Sequence, residues 1–462
     1  TGFMHLGNIR VALINYLFAR QHEGIYAIRV EDTDEQRNSD PQAAQILKDL
    51  TWLGLTYDEG PLVGGPYGPY FQSERNAIYT ESLNALVQKD AIYPCFCTSE
   101  ELEKRRQRQL ALKQPPRYDR TCLKLSKDEV QKKLSDINPF IWRFKLDHAK
   151  SVTFYDLAHK TMQFELKHFS DIPLTRQDGS FTFLFANFVD DVAMKITHVF
   201  RGEDHLTNTA AQIALYETFH EQVPVFCHLP ILCNLEGKKL SKRDFGFSLT
   251  DLQKDGFLPE AIINYLGILG RSVPHEILSP QELVESYDFE HLSTTGQIKY
   301  DPEKLFWINN QWIMKLSVDD LAQLCRPFIT QDLPALSHLN DEELKNLLAL
   351  IQKELRTLKD VSEVLSFIPT RPVVESSVLS DHKYDSYKTE LASIIPLLTG
   401  TTPDEALASL RAQVTELKLP MKDIFTLIRI VLTGKTKGPM LLDILKMLPV
   451  EERDIRLQRL VS

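Results

Sequence analysis

No apolar run in this chain approaches the ~20 residues that a membrane-spanning helix requires, so a conventional transmembrane helix is excluded. Cysteine is scarce. Six in 462 residues cannot build a disulfide framework, which favours a reducing compartment. An excess of positive charge is also missing. The formal net charge of −10 argues against a uniformly basic nucleic-acid coat, while leaving room for a local patch. Internal repeats and low-complexity tracts are absent too. What is present, 43% hydrophobic and 25% charged residues, has globular proportions, and the length requires roughly two to four domains.

Strand and helix alternate near the start. "NIRVALINYLFAR" (8–20) sets Ile9, Leu13, Tyr16 and Leu17 on one helical face, with Asn8 as its cap. "IYAIRVEDTD" reads as a strand ending in acids, and "PQAAQILKDLTWLG" as a helix starting on Pro41 and stopping at Gly54. "GGPYGPY" can only be a loop. Further on, "KITHVFRGEDH" is a strand leading into the helix "NTAAQIALYETF", and "VFCHLPILCN" a strand leading into the loop "LEGKKLSKRDFG". Such alternation predicts an α/β domain on a parallel sheet. From about 79 to 178 the pattern breaks into basic helices, clustered cysteines and short strands such as "PFIWRFKL", which predicts an α+β insertion. From about 310 onward the chain reads helical almost throughout.

Several short stretches could carry chemistry. In "TGFMHLGN", Gly2 and Gly7 allow close backbone approach at a helix start, where free N–H groups attract phosphate and His5 could donate to it. A helix cap beside an incidental histidine accounts for the same residues. In "GKKLSKRDFG", Lys238, Lys239, Lys242 and Arg243 surround Ser241 and suit a clamp on a polyphosphate leaving group, or else a solvated loop. Glu31 ends a strand at the carboxyl edge of a parallel sheet, where it could hold an ammonium, while Asp32 and Asp34 could cap the following turn. Asn187 and Arg201 could bind an amino acid's carboxylate or amide, or be a buried Asn and an Arg paired to an acid. Between Ser99 and Leu134, eleven Lys and Arg face six Asp and Glu. That excess suits either a solvated helix face or phosphate contacts.

Taken together, order and spacing resemble the glutamyl-tRNA synthetases, class I enzymes with a Rossmann-type catalytic domain. "HLGN" (His5–Asn8) is similar to that class's HIGH motif and "KLSKR" (Lys239–Arg243) to its KMSKS loop. "VEDTD", "QSER" (Gln72–Arg75), "FVDD" (Phe188–Asp191) and "ITHVFRGEDH" resemble the glutamate-specific subgroup. "YDPEKLFWINNQWI" (Tyr300–Ile313) and "VLTGKTKGP" (Val431–Pro439) resemble its tRNA-contacting half.

The resemblance implies ATP with Mg²⁺, L-glutamate and tRNA as substrates, and a monomeric ligase that forms glutamyl-adenylate and then charges the tRNA. It implies a catalytic domain over 1–78 and 179–237, an acceptor-binding insertion over 79–178, a KMSKS-like loop and stem-contact region over 238–312, and a helical anticodon-binding region over 313–462. His5, Lys239 and Lys242 take catalytic positions. His5, Gly7, Asn8, Asp204, Lys239, Leu240, Ser241, Lys242 and Arg243 take ATP-binding positions. Glu31, Phe183, Asn187 and Arg201 take glutamate-binding positions, with Phe183 standing where the family has Tyr, which removes one hydrogen bond. Cys95, Cys97, Tyr118 and Cys122 match a structural Zn²⁺ site of some bacterial members, although Lys124 stands where a His sometimes follows. Three reduced thiols in a small knob are the other reading. Arg105, Arg106 and Arg108 become candidate tRNA-backbone contacts. The family's "RFAPSPTG" strand and turn corresponds here only to Thr1 and Gly2. A chain lacking that strand is expected to be weakly active or inactive, and near-normal pyrophosphate exchange would refute this. A glutaminyl-tRNA synthetase, a shortened paralogue that glutamylates a modified tRNA nucleoside, and an impaired tRNA-binding descendant are the alternatives.

Overall fold

The computed structural model describes residues 4–32, 40–292 and 297–461. Thr1, Gly2 and Asp34, named above, lie outside them, as does the side chain of Pro41. The chain divides into one unit of residues 1–250 and 263–301 and another of 251–262 and 302–462.

The first unit begins with helix α1 (Leu6–Gln21), whose Leu6, Ile9, Leu13, Ile14 and Leu17 are fully buried. Tyr16 is only half-buried. Its cap is His5, not Asn8. The His5 backbone is extended and its Nδ1 accepts from the Asn8 N–H, which places Asn8 inside the first turn. Helix α2 (Asp40–Trp52) stops before Gly54, which takes the left-handed backbone (φ +74°) that glycine tolerates best. Residues 25–30, expected as a strand, are extended but bridge only singly, at Ala27 to Glu59 and at Val30 to Phe71. The partner they run beside is an irregular, Gly- and Pro-rich loop, and such a loop cannot sustain a ladder.

Helix α3 (Asn76–Gln88) then leads to an antiparallel pair, β1 (Ile92–Cys95) and β2 (Ile141–Phe144). Between them lie helices α4 (Ser99–Ala111) and α5 (Lys127–Ser135), each started by a capping box, at Thr98 with Glu101 and at Ser126 with Glu129. A hairpin, β3 (Ser151–Asp156) and β4 (Lys160–Glu165), follows. After helix α6 (Phe183–Ala193) come β5 (His198–Gly202), helix α7 (Leu206–Phe219) and β6 (Val225–Leu229).

β5 and β6 are parallel over five residue pairs, and the sheet order β4-β3-β6-β5 adds the hairpin through Asp156 opposite Phe226. The hairpin thus belongs to the same sheet as the β5–α7–β6 crossover, although it falls inside the 79–178 segment. "VFCHLPILCN" is broken after β6, because Pro230 has no N–H to continue a ladder; β7 (Leu232–Cys233) pairs instead with Ile298–Lys299. Tyr79, Leu83, Phe154, Phe185, Phe188, Tyr216 and Phe226 share the main core between helices and sheet.

The second unit is helical, with longer helices at Pro302–Lys315, Val318–Asp332, Asp341–Ile351, Pro403–Glu416 and Met421–Thr433. Buried Asn309 cross-links it, accepting from the Leu258 N–H at 2.8 Å and donating to the Arg356 carbonyl at 2.7 Å. Each bond satisfies a backbone group that lies at a helix or turn boundary.

Candidate active site

The histidine turn and the lysine loop meet in the first unit. Leu6 N–H donates to the Phe247 carbonyl at 3.2 Å and Leu249 N–H to the Met4 carbonyl at 3.0 Å. These bonds flank an antiparallel bridge between His5 and Ser248. The His5 ring stacks on Phe247 with centroids 4.8 Å apart. A Cβ on Gly7 would come within 3.1 Å of that ring, so Gly7 is what lets the imidazole lie over the start of α1. Burial, and secondarily the Lys239 charge, lower the His5 pKa. With Nδ1 engaged as the cap acceptor, the neutral ring carries its proton on Nε2 and offers it outward.

The loop itself is pinned at its base and free at its tip. Asp244 accepts from Ser241 N–H at 2.8 Å, Ser241 Oγ at 2.9 Å and Asn234 Nδ2 at 3.1 Å. Leu240 is buried and its N–H bonds to the Leu232 carbonyl. Lys239 Nζ lies 3.3 Å from Asp204. Lys242 and Arg243 are exposed and have no hydrogen-bonding or ionic partner among the described residues.

Deeper in, Arg29 gathers the acids. It contacts Asp191 at 2.9 Å, Asp190 at 3.4 Å and Glu31 at 3.5 Å, and donates to Asn187 Oδ1 at 2.5 Å. Burial disfavours the Arg29 charge, but Asp191, Glu31 and Asp190 outweigh it and its pKa is raised. Burial raises Asp191 against the pull of Arg29. Asn187 thus has its oxygen fixed, and its Nδ2 reaches the Phe183 carbonyl at 3.3 Å. Glu31 leans on Arg29 and is otherwise exposed. Asp32 accepts from both Ser73 N–H and Ser73 Oγ, at 2.7 and 2.6 Å, and so caps the turn of "QSER"; the turn that follows Asp32 in sequence lies outside the described residues. Asp190 is the buried hub below, holding Arg75, Gln72 and Tyr79.

Arg201 comes from β5. Its Nε donates to His228 Nε2 at 3.2 Å, and its Nη2 to Thr209 Oγ1 at 2.6 Å and Gln212 Oε1 at 2.7 Å. Among the described residues no carboxylate lies within 4.0 Å of it. Burial pushes its pKa down to about 10, partly offset by the fields of Asp191 and Glu31, so it remains a cation at neutral pH. Phe183 and His205 rings lie 5.7 Å apart, and Lys239 and Arg201 both act on His205. His5, Lys239, Asp204, Arg201, Glu31, Phe183 and Asn187 are therefore linked by contacts or by their fields into one site.

The sequence reading missed Arg29, Asp156, Thr209, Gln212, His228 and Asp244. Only "FVDD" and "QSER" pointed towards this buried network, since a buried acid and its distant Arg partner carry no local spacing.

The cysteines form a separate knob on β1. Cys95, Cys97 and Cys122 are buried with their sulfurs all within 4.8 Å, and Cys97 and Cys122 are 3.5 Å apart. Tyr118 Oη lies 3.3 Å from Cys95 and 3.8 Å from Cys97. Hydrogen bonding from Cys122 lowers the Cys95 pKa. Arg105 turns into this knob, at 3.5 Å from Cys97 Sγ, 3.1 Å from Asp119 and 3.0 Å from Thr121. Arg106 pairs with Glu103 at 3.0 Å, while Arg108 is exposed and has no partner among the described residues.

Residues 1–307 match the family described as "tRNA synthetases class I (E and Q), catalytic domain", and residues 320–461 match "Anticodon binding domain". Among curated proteins, the chain is 36% identical over 450 residues to the glutamate–tRNA ligase of Bacillus subtilis, covering 95% of this chain and 93% of that one. It is 36% identical over 471 residues to glutamate–tRNA ligase 1 of Pseudothermotoga lettingae, covering 100% and 98%. Among solved structures, a glutamate tRNA ligase of Elizabethkingia meningosepticum in complex with its amino acid is similar, with a TM-score of 0.85 and 29% identity. That likeness covers 100% of this chain and 97% of the other.

Proposed function

The chain belongs to the class I tRNA synthetases of the glutamate and glutamine group, and we propose that it joins L-glutamate to tRNA in two steps. A substrate carboxylate oxygen attacks the α-phosphorus of ATP, supplied with Mg²⁺, and pyrophosphate leaves. The glutamyl group of the adenylate then passes to the terminal adenosine of tRNA. No side chain serves as nucleophile, so catalysis is positioning and charge stabilisation.

His5 donates from Nε2 to the ATP phosphates, beside the amide of Gly7 at the positive end of α1, with Asn8 holding the imidazole through the cap bond. Lys239 and Asp204 flank the nucleotide. Lys242 and Arg243, on a loop whose base is held by Ser241 and Leu240, meet the charge that develops on the departing pyrophosphate. Arg201 takes the side-chain carboxylate of glutamate, Glu31 its ammonium, and Asn187, its oxygen fixed by Arg29, turns an N–H to the substrate. Phe183 packs. The observation that carries this reading is the hydrogen-bonded seam between the histidine turn and the lysine loop, which sets both phosphate-binding elements on one rim.

In the insertion, the three thiols and Tyr118 hold a structural Zn²⁺. Their fit rests on spacing and chemistry: tetrahedral zinc with bonds of about 2.3 Å separates sulfurs by about 3.8 Å, close to the 3.5 Å between Cys97 and Cys122. The metal would tie together three strand and turn segments whose shared apolar cluster is small. Arg106 and Arg108 lie against the tRNA acceptor end, with Arg105 bracing the knob. Residues 79–178, apart from the hairpin that joins the main sheet, serve the acceptor end, 238–312 the stem and 313–462 the anticodon, in a monomer acting in a reducing, bacterial-type cytoplasm.

The test is charging of purified tRNA-Glu and tRNA-Gln, with tRNA-dependent ATP–pyrophosphate exchange. Glutamylation of tRNA-Glu supports the reading, and parallel glutamylation of tRNA-Gln would extend its specificity. Glutaminylation alone, or tRNA binding with no exchange even when the family's "RFAPSP" segment is supplied ahead of Thr1, would overturn it in favour of a glutamine ligase or an inactive descendant. Metal analysis of the purified protein tests the zinc: about one equivalent, lost on Cys122→Ser, is expected.

A further inference from the structure

Behind Arg201 lies a chain of polar groups closed off from solvent. Asp156 and His228 are both fully buried. Asp156 Oδ1 accepts from the Ala158 and His159 N–H groups, at 2.9 and 2.8 Å, and Oδ2 from His228 N–H at 3.1 Å and His228 Nδ1 at 2.6 Å. On its far side, His228 Nε2 meets Arg201 Nε at 3.2 Å and Thr209 Oγ1 at 2.8 Å. A guanidinium has no acceptor atom, so Nε2 must present a lone pair to it and the imidazole proton must sit on Nδ1, facing the carboxylate. The contacts alone therefore fix a neutral tautomer.

This arrangement decides what Arg201 has left to offer. Nε is taken by His228, and Nη2 by Thr209 and Gln212. Nη1 has no partner among the described residues. The three engaged contacts are all neutral acceptors, Asp156 is kept one imidazole away, and among the described residues no carboxylate lies within 4.0 Å of the guanidinium. Had Asp156 contacted the guanidinium directly, the pair would be neutral and a carboxamide would bind nearly as well as a carboxylate. We infer that His228 is a positioning residue for substrate selection: it aims the Nη1 edge of Arg201 at the substrate and keeps a carboxylate of the chain out of contact with that cation, so that a side-chain carboxylate is taken and a carboxamide refused. The inference rests on the glutamate reading of the site.

Two substitutions separate the acceptor from mere bulk. Asn in place of His keeps a donor near the Nδ1 position but loses the Nε2 acceptor, whereas Gln can place an oxygen near Nε2. His228→Asn is expected to raise the KM for glutamate at least tenfold with kcat changing less than threefold, and to narrow the glutamate-to-glutamine ratio of kcat/KM by a similar factor. His228→Gln should recover most of that loss. Asp156→Asn provides a second route if His228→Asn fails to fold. With its oxygen kept on the turn amides, its NH2 faces Nδ1, reverses the tautomer and confronts Arg201 with a proton. It should reproduce the same KM-weighted defect. Equal losses in the Asn and Gln variants, or a fall in kcat with the KM unchanged, would overturn the inference. Arg201→Gln is the control for the underlying reading. If it leaves the KM for glutamate intact, that reading fails; if it raises the KM while His228→Asn and Asp156→Asn do not, only the role of His228 fails.

Discussion

Replacing Asp190 by alanine removes the acceptor on which the floor of the site converges. Asp190 is 0% exposed and Arg75 1% exposed. The carboxylate accepts from Arg75 Nε at 2.5 Å, Gln72 Nε2 at 2.8 Å and Tyr79 Oη at 2.9 Å, and lies 3.4 Å from Arg29 Nε. Arg75 keeps only two carbonyls, those of Tyr67 and Pro69, and loses its countercharge. Breaking a buried pair from one side costs about 3–5 kcal/mol, because the stranded charge keeps its desolvation penalty. Adding a separate figure for each lost bond would overcount, since the four groups share one acceptor. Urea unfolding, followed by tryptophan fluorescence, is expected to show Asp190→Ala destabilised by that amount. Removing both charges as Asp190→Leu with Arg75→Met should cost less than the single substitution, since no lone ion remains. A loss below about 1 kcal/mol for Asp190→Ala, or a double variant worse than the single one, would refute the argument that an uncompensated charge sets the cost.

Three more outcomes are expected. Phe183→Tyr should restore a hydroxyl in the substrate cleft and lower the KM for glutamate by roughly 2- to 12-fold, the value of about 0.5–1.5 kcal/mol for one hydrogen bond; an unchanged KM would mean the ring edge faces away from the ligand. His5, His148, His198, His205 and His228 are all lowered from the ordinary 6.5, in each case chiefly by burial. The unfolded chain therefore binds protons that the folded one refuses, so stability is complete above about pH 6.5 and declines as pH falls through the depressed native values. Melting temperatures should accordingly drop on acidification from about pH 7 to pH 5.5, and a rise would contradict the burial of these rings. Arg108→Glu should weaken tRNA binding and reduce the salt slope by about 1, whereas Arg105→Glu should lower the knob's resistance to proteolysis first. The reverse pattern would exchange their roles.

Much of the architecture was legible because it is local. The 3.6-residue spacing of apolar side chains marked α1 and α7, and the Val- and Phe-rich stretches before "GED" and "LPI" marked β5 and β6. The motif residues could be named because glycines and lysines at fixed offsets leave a local signature. What escaped was long-range. Asn187 was visible as a candidate, but the Arg29 that fixes its oxygen lies 158 residues away. His228 sat in an ordinary strand pattern, and Asp156, its partner, lies 72 residues upstream. Residues 25–30 misled for the opposite reason. Their side chains have strand propensity, but a ladder needs a regular neighbour, and propensity says nothing of the neighbour. His5 was singled out for phosphate binding, with capping as the competing account; the geometry makes the two compatible, because one ring nitrogen caps the helix and the other is left to face outward.

The short seam between Met4–Leu6 and Phe247–Leu249 has a mechanical corollary. Segments some 240 residues apart in sequence travel as one plank, so tension applied to the lysine tip by a triphosphate is felt at the imidazole without any intervening relay. Movement of the lysine loop towards a nucleotide and alignment of the histidine are therefore expected to be one displacement, which a glycine inserted beside Ser248 would uncouple.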